Sequence, residues 1–210
     1  MVISDSKFVP PQHEGGKADI VERITVSNNL QAKRLFVKVR HRLFDISSWG
    51  DISEGISASF QLADKNGNIK NGMPRAGDYI RIDIPGPGSL AGNGYDWVRI
   101  ELVQEDSDAG GEIAIIKVRP SADPKKQEGT AHFFDSSATS SFLIKREGRH
   151  IAAEIHGRNE EPNTESKKLT DKVRNLVVST AATIGFSKIQ WQKLAKGLLN
   201  FQQPGIKQNK

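Results

Sequence analysis

Cysteine is absent from the chain, which removes disulfides, cysteine-ligated zinc and thiol nucleophiles at once. Long hydrophobic runs are missing too. The apolar stretches are a few residues each, far short of a bilayer span. The first residues (Met1-Val2-Ile3-Ser4-Asp5-Ser6) lack a basic region followed by an apolar one. No secretory signal is therefore expected, and a cytoplasmic location is the default. A phosphate-binding signature is also wanting. Gly86 to Gly94 (Gly-Pro-Gly-Ser-Leu-Ala-Gly-Asn-Gly) shares only its glycine content with a phosphate cradle. It joins two expected strands, whereas a cradle opens onto a helix N-terminus and usually carries Lys-Ser/Thr. Pro85 and Pro87 remove further backbone donors, so a mobile hairpin loop near a site mouth is expected.

What is present suits one ordinary globular core. The chain has 210 residues, with 36% hydrophobic and 26% charged content, and no second domain is required. The net charge of +5 is uneven. From Thr164 onward nine Lys and Arg face only Glu165 and Asp171, so the positive charge belongs to the C-terminal segment.

Residues 1–17 read as a flexible leader, with Pro10-Pro11 and Gly15-Gly16 among polar residues, and 202–210 as a flexible tail. Between them, 18–201 reads as one α+β domain. Ile20 to Val26 is β-branched and strand-like. Ser27-Asn28-Asn29 can cap a helix carrying Leu35, Phe36, Val39 and Leu43 at helical spacing. Short extended segments follow: Ile56 to Leu62, Tyr79 to Ile84, Trp97 to Val103, Glu112 to Arg119, Thr130 to Phe134, Ser140 to Lys145 and Arg149 to His156. Asn66-Gly67 and Glu147-Gly148 supply tight turns, so neighbouring strands run antiparallel. Alternation places Ile80, Ile82, Ile84, Val98, Ile100, Leu102, Ile116, Val118, Phe142, Ile144, Ile151, Ala153 and Ile155 inward. A long helical segment, roughly Thr164 to Phe201, closes the chain. Either it breaks at Gly185, where Ser187 and Gln190 are spaced as a capping box flanked by Phe186 and Trp191, or it continues as one helix kinked there.

A capped helix directly after the first strand, Trp49 just beyond it, Gly77-Asp78 opening an Ile-rich strand, and a long closing helix resemble the START-like, or helix-grip, superfamily of polyketide cyclases and plant allergen-type lipid carriers. The resemblance runs from Ala18 to Phe201 and rests mainly on element order. It implies an α+β fold in which a curved antiparallel sheet of about six or seven strands packs on the C-terminal helix around an apolar cavity.

The leading expectation is accordingly a non-catalytic binder of a small apolar or amphipathic ligand. Ile82, Ile100, Phe142, Leu176 and Thr180 would line the cavity, with Trp49 near its mouth. Its volume should fall in the range of several hundred cubic ångströms usual for ligand pockets. No catalytic residue, metal site or cofactor is assigned. The alternative is a cyclase- or hydrolase-like enzyme using His132, Glu154 and His156 at the rim. Glu154 and His156 share a strand face and could hold a metal or act as a general base, although ordinary charges at a solvated strand end explain them more simply. A third reading is an interaction module whose Lys167, Lys168, Lys172, Lys188, Lys193 and Lys196 meet an acidic protein or anionic surface. Nucleic acid fits poorly, since the segment has one Arg and no interleaved surface aromatics.

Overall fold

The computed structural model describes residues 8–54, 58–84, 91–126, 129–163 and 180–201, with side chains of the last helix from 188 onward. β1 (Gly16–Thr25) leads into α1 (Asn29–Phe44), a 3₁₀ turn (Ile46–Ser48) and α2 (Trp49–Ile52). Then come β2 (Ser59–Ala63), β3 (Tyr79–Asp83), β4 (Asp96–Ser107), β5 (Gly111–Pro120), β6 (Thr139–Glu147), β7 (His150–Glu160) and α3 (Thr180–Leu199). The strands form one antiparallel sheet in the order β1-β7-β6-β5-β4-β3-β2.

Local chemistry sets the boundaries. Asn28 caps α1 as expected, its Oδ1 accepting the Gln31 N–H at 2.9 Å. The Gln31 side chain reaches back to the Ser27 N–H. Ala32, Leu35, Phe36, Val39 and Leu43 are buried along one stripe of that helix. Gly67 takes the left-handed φ of 76° that its turn needs, and Asp64 binds the Asn66 and Asn68 N–H groups beside it.

The main core lies between the inner sheet face and the helices. Ile80, Ile82, Val98, Ile100, Ile116, Phe142, Ile144, Ile151, Ala153 and Ile155 join Leu43, Trp49, Leu194 and Leu198 there. Leu102 departs from the expected inward set. The β4–β5 register shifts between Ile100 and Leu102, a β-bulge that reverses the alternation. Val103 consequently packs on the main core, and Leu102 joins Phe8, Ile113, Ile115 and Leu143 on the outer face.

Two other expectations are corrected. The stretch read as a leader is packed from Phe8 onward. Phe8 is 2% exposed, its carbonyl accepts the Ser141 hydroxyl at 3.1 Å, and Gln12 and His13 bind Asn159. Thr130 to Phe134 is an irregular connection carrying only a bridge from Phe134 to Pro162. Of the two readings of the closing segment, the continuous one holds: α3 runs unbroken through Gly185. One interior glycine costs about 1 kcal/mol relative to alanine, which is not enough to end a helix whose later turns dock through Leu194, Ala195 and Leu198. Residues 164–179, including Lys167, Lys168, Lys172 and Leu176, lie outside the described residues, as does the expected 202–210 tail. Among the described residues no helix is long and apolar enough to cross a membrane.

Candidate functional site

Between the sheet and α3 lies an apolar cavity of about 60 Å³. Ile80, Ile82, Ile84, Val98, Val118 and Phe142 rise from the strands, Trp49 and Trp191 face them from the helices, and Phe60 completes an aromatic cluster. Trp49 lies 4.8 Å from Phe142 and 5.6 Å from Phe60 between ring centres; Trp191 meets Phe142 edge-on at 5.1 Å. These separations are those of favourable tilted and T-shaped pairs. No Lys, Arg, Asp or Glu lines the cavity among the described residues.

The expected site residues separate. Trp49, Ile82 and Phe142 line the cavity. Trp49 is floor rather than mouth: it is 1% exposed, and its indole N–H is shared between the Leu43 and Arg42 carbonyls at the end of α1. Ile100 is fully buried in the core and is not part of the wall. Thr180 opens α3, but its side chain, like Leu176, lies outside the described residues. The cavity also falls well short of several hundred cubic ångströms, because large aromatics occupy much of the space. A single water needs roughly 10–15 Å³ measured in the same way, so one ring or a short branched chain is the appropriate scale.

Two polar groups at the cavity were not anticipated in these roles. Gln190, on the α3 face toward the sheet, is 9% exposed, and its buried Oε1 has no hydrogen-bond partner among the described residues. His132 comes from the connection between β5 and β6. Its Nδ1 accepts the Phe134 N–H at 2.9 Å, which leaves the ring proton on Nε2. Burial pushes His132 down to about 3, outweighing the opposing effect of that hydrogen bond, so the ring is neutral at physiological pH. The connection itself is pinned. Asn163 Nδ2 donates to the Thr130 and His132 carbonyls at 2.8 and 3.1 Å, and the Asp96 carboxyl accepts the Phe133 N–H. Sequence reasoning could have marked Gln190 as a polar residue on the buried helix stripe; the partnerless state of its oxygen is a tertiary fact.

Glu154 and His156 occupy the opposite face of the sheet, since Ala153 and Ile155 point into the core. His156 Nδ1 meets Asp19 at 2.6 Å and its Nε2 meets Glu154 at 3.3 Å. Lys145 also binds Glu154, at 2.7 Å, while Arg158 and Lys17 bind Asp19. Both imidazole nitrogens are thus committed to carboxylates, which suits a charged ring. Burial works against that charge, yet Glu154 and Asp19 raise the pKa of His156 overall. This is a closed ionic network, and it does not share a cleft with His132.

A wider groove of about 410 Å³ runs between β1, α2 and the end of α3. Glu22, Glu54, Lys193 and Lys196 line it, so its walls carry charge of both signs. Lys196 stands 3.9 Å from Glu22 and is largely exposed. That composition describes a hydrated groove rather than an apolar site.

An antiparallel sheet ordered β1-β7-β6-β5-β4-β3-β2, with α1 and α2 linking its edge strands and a C-terminal helix on its inner face, defines a helix-grip α+β fold. No family model matches the chain, and no curated protein matches it. Among solved structures it is similar to a hypothetical protein from Helicobacter pylori, with TM-score 0.44 and 9% identity over 85% of this chain and 86% of that one. It is also similar to truncated norcoclaurine synthase from Thalictrum flavum, with TM-score 0.38 and 11% identity over 92% and 100% of the two chains. A third similarity is to Ara h 8.0201, with TM-score 0.32 and 17% identity over 85% and 99%. Likeness at this level bears on no question of activity or ligand.

Proposed function

We propose that the protein binds a small, neutral, mainly apolar ligand between the sheet and α3 and does not transform it. The observation that carries this reading is the small aromatic-lined cavity with Gln190 Oε1, which has no hydrogen-bond partner among the described residues, at its wall. A buried acceptor without a donor is costly, and a ligand hydroxyl or amide N–H would relieve that cost. The absence of charged side chains from the described wall favours an uncharged ligand, because an unpaired ion would be poorly solvated there. Trp49, Ile82 and Phe142 would supply apolar contact and Gln190 the polar one.

Catalysis has less support. His132 spends Nδ1 on a backbone N–H, and Glu154 and His156 lie on the other face of the sheet. The lysines of α3 leave room for a role toward an acidic partner, but no observation on Lys188, Lys193 or Lys196 favours one.

Benzene, phenol and benzoate test the reading, with binding followed through tryptophan emission and ligand-detected NMR. Phenol should saturate and bind roughly fivefold more tightly than benzene, and benzoate should not bind. Gln190→Leu should erase the preference for phenol. Ala138→Leu, which adds bulk at a 2%-exposed wall position, should abolish binding. The reading fails if neither benzene nor phenol saturates, or if Ala138→Leu binds like the parent.

A further inference from the structure

The outer face of α1 takes no part in the cavity, yet its composition is unusual. Sixteen residues hold Lys33, Arg34, Lys38, Arg40 and Arg42 and no acidic residue. Two of these cations are engaged: Arg40 pairs with Glu105 at 2.8 Å, and Arg42 binds carbonyls at the end of α3. Lys33, Arg34 and Lys38 are exposed, and none of the three has an ion-pair partner among the described residues. Leu30 and Val37 are exposed as well, at 60% and 50%.

Their arrangement is what matters. At about 100° per residue, Leu30 and Val37 fall nearly in line along the middle of the exposed arc. Lys33 stands to one side of that line, with Arg34 and Lys38 on the other. An apolar centre flanked by cations matches the cross-section of an interface between water and anionic lipid, where side chains enter the headgroup boundary and cations meet phosphate and carboxylate. A polynucleotide would set phosphates against Leu30 and Val37 without using them.

We infer that α1 docks the protein, through Leu30 and Val37 with Lys33, Arg34 and Lys38, onto an anionic lipid surface. The contact is peripheral and weakens with salt, because it combines a small apolar insertion with screened charge. It is independent of whether the cavity holds a ligand.

Co-sedimentation with vesicles of phosphatidylcholine, alone or mixed with phosphatidylserine, tests this on the full chain. Binding is expected to the mixed vesicles at low salt only. Lys33→Ala, Arg34→Ala and Lys38→Ala should each weaken it roughly fivefold, and the Leu30→Ser/Val37→Ser pair roughly tenfold. All five side chains project into solvent, and melting curves check that each variant is folded. Leu30→Trp gives a second readout: its emission should shift to shorter wavelength when mixed vesicles are added. No binding to mixed vesicles at low salt overturns the inference. So does binding that the triple alanine variant leaves unchanged. Equal binding to polyuridylate or polyglutamate, with Leu30→Ser/Val37→Ser indifferent, would also overturn it in favour of general polyanion attraction.

Discussion

The guanidinium of Arg42 on α1 donates to the carbonyl of Asn200 at 2.8 Å, just past the end of α3. The same side chain reaches the Gly197 carbonyl at 2.9 Å and stacks 3.7 Å from the centre of the Phe201 ring. One cation thereby satisfies carbonyls that a helix end leaves unpaired and sits where the helix dipole favours positive charge. Arg42→Ala should lower stability by about 2–3 kcal/mol, the scale of charge-assisted hydrogen bonds. Arg42→Lys should recover only part of the loss, for lack of a planar fork. Chemical denaturation of the three proteins would compare them; equal midpoints would mean that α3 docks without this clamp.

Gly197 makes the neighbouring contact possible. A Cβ there would stand 2.0 Å from the Ile52 carbonyl oxygen and 2.7 Å from its carbon. Backbone cannot yield as a side-chain tip can, so Gly197→Ala should push α3 away from α2. Overpacking of this kind typically costs about 1–3 kcal/mol. A lowered melting temperature with loss of probe binding is the expected pair of results, and an unchanged melt would count against so close a crossing.

Asp19 and His156 set opposite limbs of the pH profile. Burial raises the pKa of Asp19, but hydrogen bonds from His156, Arg158 and Lys17 prevail and hold it at about 2, below the ordinary 3.8. Its stabilisation is present above pH 3.8 and is lost as the pH falls toward 2. Glu154 is lowered in the same sense: its burial is outweighed by His156 and Lys145. For His156 the raised folded pKa reverses the sign. Its contribution is intact below the ordinary 6.5 and fades as the pH rises through the folded value. Melting temperature against pH should decline on both sides, and His156→Gln should flatten both limbs.

Asp96 adds a separate slope. Burial pushes its carboxyl up to about 7, with the Phe133 N–H pulling only partly the other way. The unfolded chain ionises it near 3.8 while the folded protein keeps it protonated to about 7, so stability falls as the pH climbs between those values, by at most about 4 kcal/mol. Asp96→Asn keeps an acceptor for the Phe133 N–H and carries no charge. Its stability advantage over the parent should grow across that range and then level off. An advantage independent of pH would show that Asp96 ionises freely.

Much of the fold was readable in the residue pattern because the forces responsible are local. Asn28 capping α1, the turn at Asn66-Gly67 and the β-branched alternation each declare themselves within a few positions. What escaped depends on distant partners. Residues 8–15 show no period because they are held by Asn159 and Ser141 rather than by regular pairing. Sequence position reveals that Trp49 is near an element end but not how deep it lies, so a place at the cavity mouth is all that can be expected of it. His132, Glu154 and His156 were grouped by proximity to strand ends; the inward course of Ala153 and Ile155 already assigned the latter two to the other face. At the site, the aromatic and aliphatic wall was legible as composition, while its tight filling and the solitary Gln190 oxygen are products of packing.

The bulge at Glu101 gives β4 something like a reading frame. Before it even-numbered residues belong to the inner compartment, and after it odd-numbered ones do. One strand can thus send Ile100 and Val103 to one core while lending Leu102 to the cluster beneath Phe8. The surplus residue reconciles two runs of opposite parity. Deleting Glu101 would leave Ile100 opposite Val118 and Leu102 opposite Lys117 in ordinary alternation, so both halves of the strand should keep their faces and lose only the local kink and extra twist.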